Sequence, residues 1–129
     1  RPKLGGQVQR IRLLEIDAPE TDPDRGGPEC YGAEATAFAE RLLGEGSTVH
    51  LVADRQDRDE FDRLLRYAWT QDHRFFNEQA VRQGYARAVL FHPNDRFIRR
   101  LRAAEAEARA AGRGLWGCGP PRVPLQGRP

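Results

Sequence analysis

Residues 7–20 read QVQRIRLLEIDAPE, and how this stretch is assigned decides the fold. Residues 7–16 are rich in β-branched and long apolar side chains and predict a strand. The alternation is imperfect. Apolar residues fall on both faces toward its end, as expected where a strand enters a barrel wall. The pattern stops at Asp17. Residues 17–31 hold three prolines and two adjacent glycines and must form a loop. A loop of that length inside a compact domain usually serves a function.

Outward from this stretch, residues 33–43 predict a helix with Ala35, Phe38 and Leu42 on one face. Residues 48–53 and 64–70 predict strands, with a turn at 71–74. Asn77 suits the N-cap of a short helix over 78–83, stopped by Gly84, and residues 85–90 predict a further strand. Pro93-Asn94 opens a last helix that ends at Gly112, with Phe97, Leu101, Ala104 and Ala108 as its buried stripe and Glu105 and Arg109 paired one turn apart. Short strands followed by helices make this an α+β domain, a five-stranded, partly open barrel with about three helices against it.

A chain of 129 residues is one domain by length, and 39% apolar with 31% charged residues describes a globular protein rather than a disordered one. No apolar run approaches a membrane span. A net charge of +2 permits nucleic-acid binding without demanding it. Residues 118–129 carry four prolines and little that could pack, so the domain is expected over 1–117 with a proline-rich tail after it. Cys30 and Cys118 form no CxxC pair. They are either two unrelated buried thiols or a disulfide. Both lie in loop-like sequence without the apolar neighbours of a core thiol, which favours the disulfide and with it an oxidising, secreted, cell-surface or periplasmic setting.

The chemistry concentrates in Arg12, Asp17-Ala18-Pro19-Glu20 and Asp59-x-x-x-Arg63. Guanidiniums for phosphate oxygens, a carboxylate for a metal and a second carboxylate to activate water are what attack on a phosphodiester requires. Each residue also has a plainer role. Asp17 could form an Asx turn and Glu20 a solvated surface charge. Arg12 cannot be told from Arg10 by pattern, and Arg63 could pair with Asp59 or Asp62. Phe61 and Phe91 could stack a base or simply pack. Arg96, Arg99, Arg100 and Arg102 could contact nucleic acid or form a solvated helix face. His50, His73 and His92 lack metal-ligand spacing, and no Gly-rich phosphate loop is present.

The segments RIRLLEIDAPE, CYGAEATAF, DEFDRLLRYAW, NEQAVRQGYARA and AEAEARAAGRGLW, in order from about residue 8 to 116, resemble a staphylococcal-nuclease (thermonuclease-like) domain. The resemblance implies an OB-type barrel. It also implies a calcium-dependent nuclease that hydrolyses DNA and RNA, preferably single-stranded, to 3′-phosphate ends and works as a monomer. Asp17 and the Ala18 carbonyl then match calcium ligands, Glu20 the carboxylate that activates water, and Arg12 and Arg63 the transition-state arginines. Phe91 matches a substrate-site aromatic, and Phe61 lies near the pocket. The family's Asp-Gly-Asp-Thr segment, with the second calcium carboxylate, has no counterpart before Gln7. Either the sequence begins after that strand, as the absence of any methionine favours, or half the metal site is missing. Asp62 replaces a family glycine and Val89 an aromatic. These departures keep a second class open, a non-catalytic nucleic-acid- or protein-binding module of the same fold.

Overall fold

A computed structural model describes residues 3–4 and 7–118. The strands are Lys3–Leu4 (β1), Gln7–Val8 (β2), Ile11–Leu13 (β3), Ile16–Asp17 (β4), Val49–Val52 (β5), Leu64–Thr70 (β6) and Arg87–Ala88 (β7). The helices are Gly32–Leu43 (α1), Phe76–Arg82 (α2) and Ile98–Ala111 (α3). The class is α+β, with three α-helices among the described residues. β6 is the centre, flanked by β3 in parallel and β5 antiparallel. β1 pairs with β2, and β4 with β7. Among the described residues these three ladders do not close into a ring. No helix there is long and apolar enough to cross a membrane.

The single strand expected over 7–16 is three pieces. Its decisive break is Glu15, which takes a left-handed φ of 63°. A left-handed residue cannot continue a pleated strand, so the chain bends there. β3 before the bend belongs to β6, and β4 after it belongs to β7. Glu15 is completely buried, its Oε1 accepting from the Phe97 amide at 3.2 Å, and its Oε2 has no partner among the described residues.

Two helix starts differ from the sequence expectation. Asn77 is inside α2 and fully buried rather than capping it. Its Oδ1 accepts from the Ala68 amide at 3.0 Å and its Nδ2 donates to the Leu14 carbonyl at 2.8 Å, so it ties β6 to the β3–β4 bend. A buried amide that satisfies two strands outweighs its preference for a cap. α3 begins at Ile98, because Pro93-Asn94 is occupied in a separate turn where the Asn94 amide donates to the Phe91 carbonyl at 2.6 Å. Phe97 therefore precedes α3, while Leu101, Ala104 and Ala108 form its buried stripe. The strand expected over 85–90 contracts to β7, and Glu105 and Arg109 do pair, at 3.8 Å.

α3 ends as its sequence predicts. Gly112 at φ 63° lets the Arg113 amide reach back to the Ala108 carbonyl (2.9 Å) and its own amide to that of Arg109 (3.2 Å). The chain then crosses α2's end so closely that a Cβ on Gly114 would stand 2.2 Å from the Gly84 carbonyl oxygen, and one on Gly84 2.2 Å from that of Arg113. Only glycine fits either side. The following 3-10 turn, Gly114–Gly117, leads to Cys118, which is disulfide-bonded to Cys30 across 88 residues of sequence. The 17–31 loop is thus tied to the end of the domain. The rest of the expected tail, 119–129, lies outside the described residues.

Candidate active site

β3 carries Arg12 and β6 is entered through Arg63, and the parallel pairing of these strands brings both arginines to one cavity of about 380 Å³. Phe61 and Phe91 line it too, with Gln56, Asp59, Glu60, Leu65, His92 and Asn94. Each guanidinium rests on one of the aromatic rings: Arg12 lies 4.6 Å from the Phe91 centroid and Arg63 5.4 Å from that of Phe61. The structure separates Arg12 from Arg10, whose guanidinium is turned to the Phe61 carbonyl outside the cavity.

The two arginines are held differently. Arg12 donates to the carbonyls of Leu13 (2.7 Å) and Ile16 (3.0 Å), bridging the bend at Glu15. Burial lowers its pKa, with nearby Arg63 adding to the effect and Asp17 and Asp59 opposing it, and the group stays charged. Arg63 gives its Nε to Asp59 Oδ2 at 2.6 Å, and its two terminal nitrogens have no hydrogen-bond partner among the described residues. The other Asp59 oxygen accepts from the amides of Phe61 and Arg63, both at 2.9 Å. Burial pushes the Asp59 carboxyl up, but these bonds outweigh it and hold it below the ordinary range. The expected Arg63–Asp59 ion pair is real, and it leaves the bidentate end of the guanidinium free.

Asp62 adopts a left-handed φ of 62°, a conformation that favours glycine, in keeping with the glycine that the family resemblance implies at this turn. Aspartate is among the few other residues that tolerate it. Its carboxylate is mostly exposed and pairs with Arg58 at 3.4 Å, so its charge is turned outward.

Asp17, Ala18 and Glu20 do not line the cavity; they follow on the adjoining loop. Asp17 is exposed at the end of β4, its carboxylate in no hydrogen bond or ion pair with another described residue, and no described donor reaches the Ala18 carbonyl. Glu20 is half-buried, with Oε1 accepting from the Asp22 amide at 3.0 Å and Oε2 unpartnered among the described residues. Among the described residues no three His, Cys, Asp or Glu side chains gather into a metal cage. The free carboxylate and carbonyl at 17 and 18 are hard oxygen donors, the kind calcium takes alongside water and substrate oxygens, and they fit part of such a shell.

Sequence reasoning missed Asn94. It is buried at the cavity floor, and its Oδ1 accepts from the amides of Arg55 (3.1 Å) and Gln56 (2.9 Å). Its signal was present, since an Asn after Pro in a polar stretch is turn chemistry as much as a helix start. Buried Glu15 was missed as well; an acid inside the apolar run LLEI was its signal.

The fold is thus an α+β domain in which two aromatic-backed arginines converge on one cavity, with a free carboxylate on the adjoining loop. Residues 10–118 match the family model described as staphylococcal nuclease homologue, and the chain belongs to that family. It is 32% identical over 111 residues to a thermonuclease of Staphylococcus hyicus, covering 86% of this chain and 64% of that protein. It is 33% identical over 111 residues to a thermonuclease of Staphylococcus intermedius, covering 86% and 65%. It is 32% identical over 113 residues to the SPbeta prophage-derived endonuclease YokF of Bacillus subtilis (strain 168), covering 86% and 38%. The chain thus spans a little under two thirds of the thermonucleases and less of the endonuclease.

Proposed function

We propose that this domain is a calcium-dependent nuclease that hydrolyses phosphodiesters of DNA and RNA. The observation that carries this reading is the convergence of Arg12 and Arg63 on one cavity, each on its own phenylalanine, in a chain whose named relatives are nucleases. The free fork of Arg63 would grip two phosphate oxygens, and Arg12 a third. Asp17 and the Ala18 carbonyl would hold calcium, which when bound neutralises phosphate charge. The unpartnered Oε2 of Glu20 would take the proton of the attacking water, giving in-line displacement of the 5′-oxygen and 3′-phosphate products. Phe61, 60% exposed, and Phe91 would meet unstacked bases, hence a preference for single strands. The family also supports closure of the three ladders into an OB-type barrel and a monomeric state, and the disulfide supports export.

The test is digestion of single-stranded DNA in millimolar calcium, alone and with excess chelator, by wild type and Glu20→Gln. Calcium-dependent cleavage, reduced at least about a hundredfold in the variant, is expected. Cleavage undiminished in chelator would overturn the metal requirement. One observation favours the non-catalytic binding module instead: Glu20 braces its own loop through Oε1 and lies outside the cavity lining. Binding of DNA without cleavage in calcium would establish that alternative.

A further inference from the structure

β4 and β7 place Arg87 directly opposite Asp17 and Ala88 opposite Ile16. Directly opposed residues of an antiparallel pair share a face. Ile16 is buried and Ala88 half-buried, so that pair points inward; Asp17 and Arg87 are both exposed and point outward together. Arg87 nevertheless makes no salt bridge with Asp17 or with any other described carboxylate. Its guanidinium lies instead 5.3 Å from the ring centroid of Trp116, and that of Arg109 lies 4.9 Å from the same ring.

This assembly is held from three sides. Trp116 stands in the 3-10 turn fixed by the Gly84–Gly114 crossing, where the Leu115 amide donates to the Gly84 carbonyl at 2.8 Å. Cys118, two residues on, is bonded to Cys30 of the loop that carries Ala18 and Glu20. Glu105 accepts from the Ala88 amide at 2.9 Å and pairs with Arg109, leaving Arg87 as the uncompensated cation. Arg87 is thus a cation with no carboxylate partner among the described residues, and an anion brought to it gains from that uncompensated charge. Rotamer freedom has already been lost on the ring, so the entropic cost of binding such an anion is reduced.

We propose that Arg87, ordered by Trp116 and Arg109, binds a backbone phosphate of the nucleic acid next to the one held at Arg12 and Arg63. The substrate strand then runs from the cavity past Asp17 and onto this cationic face. The inference rests on the nuclease reading, and it makes Arg87 a determinant of substrate length rather than of the chemical step.

The experiment uses the full chain with its disulfide intact and a fluorescein-labelled eight-nucleotide oligothymidylate, with affinity read by anisotropy in chelator over a range of salt. Arg87→Gln keeps the side-chain stem on the indole and removes the charge. It is expected to weaken binding about tenfold, the worth of one charged hydrogen bond, and to flatten the slope of log affinity against log salt by about 0.7. Arg87→Lys should recover the slope. Arg99→Gln, an exposed charge on α3, should change neither. In cleavage assays with calcium, Arg87→Gln should raise KM for the octamer, leave kcat alone, and leave a dinucleotide substrate unaffected. Wild-type affinity and slope in Arg87→Gln, or an equal loss in Arg99→Gln, would overturn the subsite while leaving the nuclease assignment standing. Absence of binding and cleavage by wild type would overturn both.

Discussion

Replacing Glu15 by glutamine should stabilise the protein at neutral pH and hardly affect it in acid. Glu15 is wholly buried at the β3–β4 bend, with one oxygen on the Phe97 amide and the other unpartnered among the described residues. Burial raises its pKa from 4.5 to about 7; Tyr67 and the Phe97 amide pull it partly back, and Asp54 and Asp95 push it further up. The Tyr67 hydroxyl itself is committed to Asp54 at 2.6 Å. Because the folded-state value lies above the unfolded one, the folded protein holds the proton more tightly. Stability from this group is therefore full below about pH 4.5 and declines as pH rises through about 7. At about 1.4 kcal/mol per pH unit, the decline between pH 5 and pH 8 comes to roughly 2–3 kcal/mol. Glutamine has the same shape and no titration. Urea unfolding of wild type and Glu15→Gln, followed by fluorescence in chelator from pH 5 to pH 8, should show the gap between them opening by about that amount in the variant's favour. A gap that stays constant with pH would mean that Glu15 is not buried as a reluctant acid, and the assignment of the bend would be wrong.

Asp59→Asn keeps an acceptor for the turn amides but loses the charge that holds Arg63 Nε, so kcat should fall about tenfold or more with little change in KM; an unchanged kcat would show that Arg63 needs no such support. Arg12→Lys and Arg63→Lys should each cost about a hundredfold in turnover despite the retained charge, measured on single-stranded DNA. Cys30→Ser with Cys118→Ser should lose up to about 4.6 kcal/mol, the entropy model's value for a loop of 88 residues, and thiol titration of denatured, unreduced wild type should find no free thiol. Gly114→Ala should cost more than about 2 kcal/mol, read in the same urea assay, because its Cβ has no room against the Gly84 carbonyl.

Much of the architecture was legible because it rests on local chemistry. β6 matches the β-branched and aromatic run LLRYAWT, α1 follows its apolar face, and α3 stops at the glycine that a left-handed cap requires. The misplaced boundaries share one cause. At Asn77 and Asn94 a side chain with strong local preferences is recruited by a distant backbone, and no window of neighbouring residues contains that partner. The break at Glu15 was hidden likewise, since LLEI reads as strand until two different sheets compete for its ends. Of the candidate site, the family resemblance pointed to Arg12, Arg63, Phe61 and Phe91, which the fold does bring together, and to Asp17, Ala18 and Glu20, which lie outside the cavity lining. The aromatic backing of each arginine and the division of labour within Arg63 are three-dimensional facts that spacing does not encode.

The bend at Glu15 has a consequence for how this domain fails. Arg12 and Asp17 are five residues apart on one peptide, yet one is registered by β6 and the other by β7. Their relative position therefore depends on both ladders together with the bond from the Arg12 guanidinium to the Ile16 carbonyl across the bend. On the proposed function, a partly melted form would retain much of its helix signal and yet lose activity. Activity lost on mild heating or in dilute urea would thus precede the loss of circular dichroism, and a substrate analogue spanning both residues would add a further clasp between the two sheets.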